Sequence, residues 1–373
     1  MTSLESTIAV SSAPTPVPPK PKEAETGPNE DPTGLIEEHI LPRLDPAFVK
    51  YFLDVIAKAP PGDKILIQDV RANPEKYRSP WAIDTSGHRG VSDERVTSED
   101  GTQFTVRLYY PDFDKFRTGG YTGCPVHINF HGGGFVTGDL MVEAQLCLNM
   151  REAGVAVVDV DYRLCPENIW GKAVQDAWAT LNWIRSSSDK LGIDSNSISI
   201  GGVSAGGHIS LILQHMARDA GIPLKLCMPT VPPSTEGLAY KYYTDSPFPS
   251  FHEFHRAPIL PWKRIQYFGK HCFPDDKLEE IKAMWPEWWI APIKAPNWNG
   301  LCDTFLRTAE IDPLRDEGEA YGMKLVGGGN KVTFKRYLGS PHTFMYMKFL
   351  ESKREFDEDS VKALRVAHGI TIG

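Results

Sequence analysis

Strands and helices alternate along most of this chain, and that alternation limits the fold more than any other feature of the sequence. "PVHINF" (125–130), "VAVVDVDY" (155–162), "SISIGG" (197–202), "LKLCMPTV" (224–231), "DTFLRTAEID" (303–312) and "KVTFKRYLG" (331–339) are short strand-like runs rich in β-branched and apolar residues. Several of them are separated by helix-like segments: "LMVEAQLCLNMREAG" (140–154), "AVQDAWATLNWIRSSSDKLG" (173–192), "AGGHISLILQHMARDAG" (205–221) and "DEGEAYGMKLVGGG" (316–329). Strands joined through helices run parallel, and a parallel sheet has to be covered on both faces. The pattern therefore predicts an α/β fold around a mostly parallel sheet. Upstream, "HRGVSDERVTS" (88–98) and "QFTVRLYYP" (103–111) flank Glu99-Asp100-Gly101, a hairpin signal.

The flanks behave differently. Residues 1–33 are rich in Pro, Ser, Thr and Glu and poor in bulky apolar side chains, so they read as a disordered tail ahead of a domain spanning 34–373. "LIEEHILPRLDPAFVKYFLDVIAKAP" (35–60) predicts two short helices interrupted at Pro42 and Pro46. Residues from about 232 to 296 break the alternation, being proline-rich and dense in aromatic rings.

Bulk properties exclude several functions. With 41% hydrophobic and 24% charged residues the composition is globular, and a formal charge of −8 argues against a nucleic-acid partner. No run approaches the roughly 18 uninterrupted apolar residues of a membrane span. The amino terminus carries Glu5 and no apolar core of signal-peptide length, which points to a soluble cytoplasmic protein. Six cysteines are scattered without a Cys-x-x-Cys pair, the pattern of packing residues in a reducing compartment. His252 and His255 in "HEFH" are three apart rather than four, and prolines crowd them, so neither a metal nor a cofactor is expected.

Chemistry concentrates at three places. Gly202-Val203-Ser204-Ala205-Gly206 lies between a strand and a helix, where small neighbours permit a sharp turn that lifts the serine hydroxyl out of the fold. His131-Gly132-Gly133-Gly134 follows a strand directly, and backbone amides free of side chains can hold a developing oxyanion. A hydroxyl also needs a base, and the base an orienting acid. Asp312 follows one late strand and His342 the next, in the order nucleophile, acid, base that this strand–helix arrangement requires. Taken singly, Asp312 reads equally as a helix cap ahead of Pro313, and His342 as a plain loop residue.

Together "HGGGF", "DYRLCPE", "GVSAGG", "EIDPLRDEGEAYGMKL" and "PHTF" resemble the hormone-sensitive-lipase-like carboxylesterase branch of the α/β-hydrolases, over roughly residues 80–370. The resemblance implies an eight-stranded, mostly parallel twisted sheet flanked by helices, and a helical cap from about 34–60 and 232–296. It implies Ser204 as nucleophile, Asp312 as acid and His342 as base, with an oxyanion hole from the amides of Gly133, Gly134 and Ala205. His131, Asp161-Tyr162-Arg163 and Glu167 would brace the glycine loop and the sheet edge. Two departures stand out: Val203 occupies the usual place of Asp, and Cys165 that of Ala.

The implied activity is hydrolysis of a small-molecule ester or lactone through an acyl-enzyme. Tyr240, Tyr242, Trp262, Tyr267, Trp285 and Trp289 of the cap insertion suggest a bulky, aromatic or polyketide-like substrate, or equally a cap that packs on its own rings. The same triad would also serve a biosynthetic cyclase or acyltransferase. A ligand-binding receptor on a degenerate hydrolase scaffold is disfavoured because all three triad residues are kept. A homodimer through the sheet edge is an option by resemblance.

Overall fold

The computed structural model describes residues 35–112, 116–118 and 123–372; the tail expected over residues 1–33 lies outside the described residues. In chain order the strands are β1 (Val91–Thr97), β2 (Gln103–Tyr109), β3 (Phe116–Thr118), β4 (Cys124–Phe130), β5 (Ala156–Val160), β6 (Ile193–Val203), β7 (Leu226–Thr230), β8 (Thr304–Ile311), β9 (Val332–Pro341) and β10 (Ile370–Ile372). Eight form one sheet in the order β1-β2-β5-β4-β6-β7-β8-β9, and β3 and β10 pair separately. β2 runs antiparallel to both its neighbours, and every other pairing in the large sheet is parallel. This is the α/β-hydrolase fold.

Both faces of the sheet are covered, and the side-chain alternation of the strands divides the interior accordingly. Ala156, Val158 and Val160 of β5 join Ile198 and Ile200 of β6 under the helices Lys172–Ser186 and Ala205–Asp219, where Leu181, Ile209 and Leu213 meet them. Val157 of β5 points the other way, into a second core with Met228, Phe305 and Ala309. That core packs under the helices Ala144–Arg151 and Glu351–His368 through Leu146, Met150, Phe356 and Leu364. Each buried leucine-sized side chain contributes about 1.5–3 kcal/mol, so the two apolar layers hold the sheet from either side.

Two segments differ from the sequence expectation. Helix forms over Ala144–Arg151 rather than from residue 140, because Glu143 turns inward and its carboxylate accepts the Gly132 amide at 2.8 Å. β6 starts at Ile193, ahead of the "SISIGG" run, because Ile193 pairs with Cys124 of β4 just after Gly192 closes the preceding helix in a left-handed conformation (φ 63°). Among the described residues no helix is long and apolar enough to cross a membrane.

Candidate active site

The strand order sets the position of the site. From β4 the chain crosses to β5 on one side, and later to β6 on the other, so the carboxyl ends of β4 and β6 face a crevice where connections diverge. β4 ends in Phe130 and leads straight into His131–Gly134, while β6 ends in Val203 and leads into Ser204. Asp312 follows β8 directly, and His342 follows β9. All four functional segments thus emerge from the same edge of the sheet.

At the turn after β6, Ser204 adopts φ 55° and ψ −114°, a conformation that typically costs a serine about 1–3 kcal/mol. Its amide donates to the Thr230 carbonyl at 2.9 Å, and its carbonyl accepts from His208 at 2.9 Å as the helix Ala205–Asp219 begins. The smallness of the neighbours is a steric demand: a Cβ at Gly206 would stand 1.8 Å from the Phe130 carbonyl oxygen. Helix and strand can approach this closely only through bare backbone.

The structure brings together the three side chains singled out in the sequence. His342 Nε2 lies 2.9 Å from Ser204 Oγ, and His342 Nδ1 lies 2.7 Å from Asp312 Oδ2. Asp312 is fully buried, and its Oδ1 accepts the Leu314 amide at 2.9 Å, which leaves Oδ2 directed at the imidazole. His368, the other histidine beyond Asp312 in sequence, is bound elsewhere, to Ser197 and Ser199 of β6 at 2.8 and 2.9 Å.

The glycine loop is held open by its own carbonyls. Gly133 takes φ 122°, and its carbonyl accepts from the Val136 and Thr137 amides at 3.1 and 3.0 Å and from Thr137 Oγ1 at 3.1 Å. The amides of Gly133, Gly134 and Ala205 have no acceptor among the described residues. The His131 ring stacks on Tyr162 at 4.3 Å, and the Tyr162 hydroxyl donates to the His131 carbonyl at 2.7 Å. Arg163 is locked on Asp176 and Asp100, and Glu167 on Arg71, so the "DYRLCPE" segment forms a stiff frame beside the loop. Cys165 is buried, with its amide on the Phe135 carbonyl at 2.8 Å.

Glu143 and Tyr346 also belong to this site, although sequence reasoning did not single them out. Besides the Gly132 amide, Glu143 Oε1 accepts the Tyr346 hydroxyl at 2.5 Å, and Oε2 accepts Asn129 Nδ2 at 3.0 Å. Burial pushes its carboxyl up to about 7, opposed by those donors. One carboxylate therefore ties the glycine loop to the segment that follows His342. The available signal was a lone acid inside the mostly apolar "LMVEAQL". Val203 is itself buried, its side chain beside Gly132, so the place where the family resemblance leads one to expect a carboxylate is apolar here.

Above Ser204 lies a cavity of about 830 Å³. Its walls include the glycine loop, His342, Ile65, Val70 and Arg71 from the amino-terminal segment, and Leu238, Leu260, Tyr267 and Phe268 from the 232–296 insertion. Several rings of the insertion pack on one another: Trp285 stacks on Trp289 at 5.1 Å, and Phe251 meets Tyr240 and Trp262, while Phe254 is buried against Arg43 and Arg315 of the body. Tyr267 and Phe268 are the insertion's rings on the cavity wall among the described residues. In the "HEFH" segment, His252 and His255 bond backbone carbonyls of Ser246 and His252 at 2.7 and 2.8 Å.

Similarity to known proteins agrees with this geometry. A family model described as alpha/beta hydrolase fold matches residues 127–346. Esterase LipI of Mycobacterium tuberculosis is 34% identical over 248 residues, covering 66% of this chain and 74% of that protein. An arylesterase of Saccharolobus solfataricus is 29% identical over 307 residues, 81% of this chain and 92% of that protein. The solved structure of an esterase from Pyrobaculum calidifontis aligns with a TM-score of 0.73 at 29% identity, covering 87% of this chain and 98% of that one. The chain belongs to the hormone-sensitive-lipase-like carboxylesterase family of the α/β-hydrolase fold, and is accordingly a serine hydrolase.

Proposed function

We propose that this protein hydrolyses carboxylic esters through an acyl-enzyme formed on Ser204. His342 Nε2 takes the proton of Ser204 Oγ as that oxygen attacks the ester carbonyl carbon. Asp312 keeps the other imidazole proton on Nδ1 and stabilises the imidazolium. The carbonyl oxygen becomes an oxyanion received by the amides of Gly133, Gly134 and Ala205, where a single lost donor typically costs about 2.7–4 kcal/mol of barrier. The carbon–oxygen bond to the alcohol then breaks, and the alcohol leaves with the proton from Nε2. A water molecule, deprotonated by His342, attacks the acyl-enzyme in the same way and releases the acid.

The observation that carries this reading is the continuous relay from Asp312 through His342 to Ser204, at 2.7 and 2.9 Å, beside three unoccupied amides. The insertion at 232–296 serves as a cap over the cavity, braced by residues 34–60 through Arg43 on Glu253 at 2.5 Å. A cavity of about 830 Å³ suits an ester larger than an acetate of a small alcohol. Steady-state hydrolysis of 4-nitrophenyl acetate, butyrate and octanoate and of naphthyl acetate, with Ser204→Ala alongside, tests both parts. The expected result is turnover that rises with ester bulk and is lost in Ser204→Ala. Turnover unchanged by that substitution overturns the nucleophile; indifference to bulk overturns the substrate size.

A further inference from the structure

The helix Trp262–Cys272 carries a guanidinium, that of Arg264, with no carboxylate partner among the described residues. Arg264 lines the cavity that holds Ser204. Its Nη1 donates to the Gly62 carbonyl, and the planar group lies over the rings of Phe268 and Tyr267, 4.5 and 4.9 Å from their centroids. Among the described residues no carboxylate stands within ion-pair distance, and Asp63 acts on it only from farther away. Burial pulls its pKa below the ordinary arginine value, the signature of a charge removed from water without a compensating anion.

Three of the other four arginines on the cavity wall are paired with carboxylates. Arg71 pairs with Glu167 at 2.8 Å, Arg78 with Asp139 at 2.8 Å and Arg163 with Asp176 at 2.6 Å. Arg95, nearer the solvent, is spent on Thr105 Oγ1 and the Gln103 carbonyl at 2.8 and 3.0 Å. Arg264 is also close to the chemistry. The Phe268 ring on which it stacks packs against Gly134, where an added Cβ would stand 2.4 Å from that ring. One ring, Phe268, therefore touches both the guanidinium and the glycine loop.

We infer that Arg264 is a recognition site for a carboxylate borne by the ester substrate, so that this enzyme selects half-esters and ester acids over neutral esters. The inference rests on the esterase reading of the same cavity and narrows its substrate class. A guanidinium with free N–H groups presents the fork that matches a carboxylate, and a site already desolvated strengthens the pairing. The anion stays unchanged through the reaction and serves only to bind and orient.

Binding to Ser204→Ala, followed by calorimetry, tests this without requiring turnover. One arm compares 4-nitrophenyl hydrogen glutarate with its methyl ester, placing the charge on the acyl side. The other compares 4-acetoxybenzoate with its methyl ester, placing it on the alcohol side. In at least one arm the acid should bind about tenfold to a hundredfold more tightly than the neutral ester. Adding Arg264→Gln should erase that advantage while neutral-ester affinity changes less than about threefold, and Arg264→Lys should keep part of it. Equal affinity of acid and neutral ester in both arms overturns the inference. So does an advantage that survives Arg264→Gln, or a parallel loss for acid and neutral esters, which would mark Arg264 as a clamp on Gly62 alone. Hydrolysis of the neutral esters by the unsubstituted enzyme reports separately on the esterase reading, so the two failures are distinguishable.

Discussion

Around Ser204, bonded groups come from neighbouring strand ends, whereas the 232–296 insertion above it packs several of its rings on one another. The glycine loop is tied through Glu143 to Asn129 and Tyr346, and the serine turn to Thr230. The cap meets the body through side-chain anchors such as Glu317 on the Ser234 amide at 2.6 Å, Asp316 on the Ser250 amide at 2.8 Å and Arg43 on Glu253. The contrast bears on the proposed reaction: groups that meet a transition state must hold their positions within a fraction of an ångström, a demand that does not fall on the wall of a binding cavity.

The largest test of this contrast lies in the relay. His342→Ala should lower kcat for 4-nitrophenyl butyrate by about 10⁴- to 10⁶-fold; a loss under tenfold would break the picture of a rigid edge. Next, Gly206→Ala should cost about 3 kcal/mol or more of stability, read from urea unfolding, because the new methyl group meets the Phe130 carbonyl rather than a movable side chain.

Glu143→Ala should lower kcat by about tenfold to a hundredfold, with little change in KM, by releasing Gly132 and Tyr346 together. The same residue gives a pH dependence with a definite sign. Its carboxyl titrates near 7 in the folded chain, above the ordinary 4.5, so the fold holds a proton that the unfolded chain has released. This contribution is fully present below about 4.5 and is lost as pH rises through 7. Melting curves of the unsubstituted protein and Glu143→Gln should therefore diverge over that window, with the variant the less pH-sensitive; parallel curves would count against a protonated Glu143. The smallest effect is expected in the 232–296 insertion. Tyr267→Ala should shift KM severalfold and differently for each ester, with kcat within about threefold, since the ring lines the cavity without touching the relay.

Much of the fold was legible because its signals are local. A parallel strand buried on both faces has to be apolar along its length, and a helix crossing over it has to be apolar on one side, so β4 to β9 and the helices Ala144–Arg151, Lys172–Ser186, Ala205–Asp219 and Arg315–Gly327 could be read by inspection, whereas the short helices of the 232–296 insertion could not. Boundaries were less legible where a polar contact overrode the pattern, as at residues 140–143, where Glu143 draws the chain inward. Ser204, Asp312 and His342 were legible because each stands immediately after a strand. Glu143, Tyr346 and Arg264 were not, because their roles arise from contacts across 203 or 202 positions of sequence, between Glu143 and Tyr346 and between Arg264 and Gly62.

By itself the sequence determined which segments could be strand, turn or helix, and which hydroxyl, imidazole and carboxylate would stand at strand ends. Those follow from backbone sterics and side-chain periodicity, which act over a few residues. Only the tertiary structure decided which groups met around them: that a buried acid would hold the glycine loop to the histidine segment, that several rings of the 232–296 insertion would face one another, and that Arg264 would lie in the cavity wall against two rings rather than on a carboxylate. Such outcomes depend on how distant surfaces pack and exclude water, and no local stretch of chain encodes the identity of its distant neighbours.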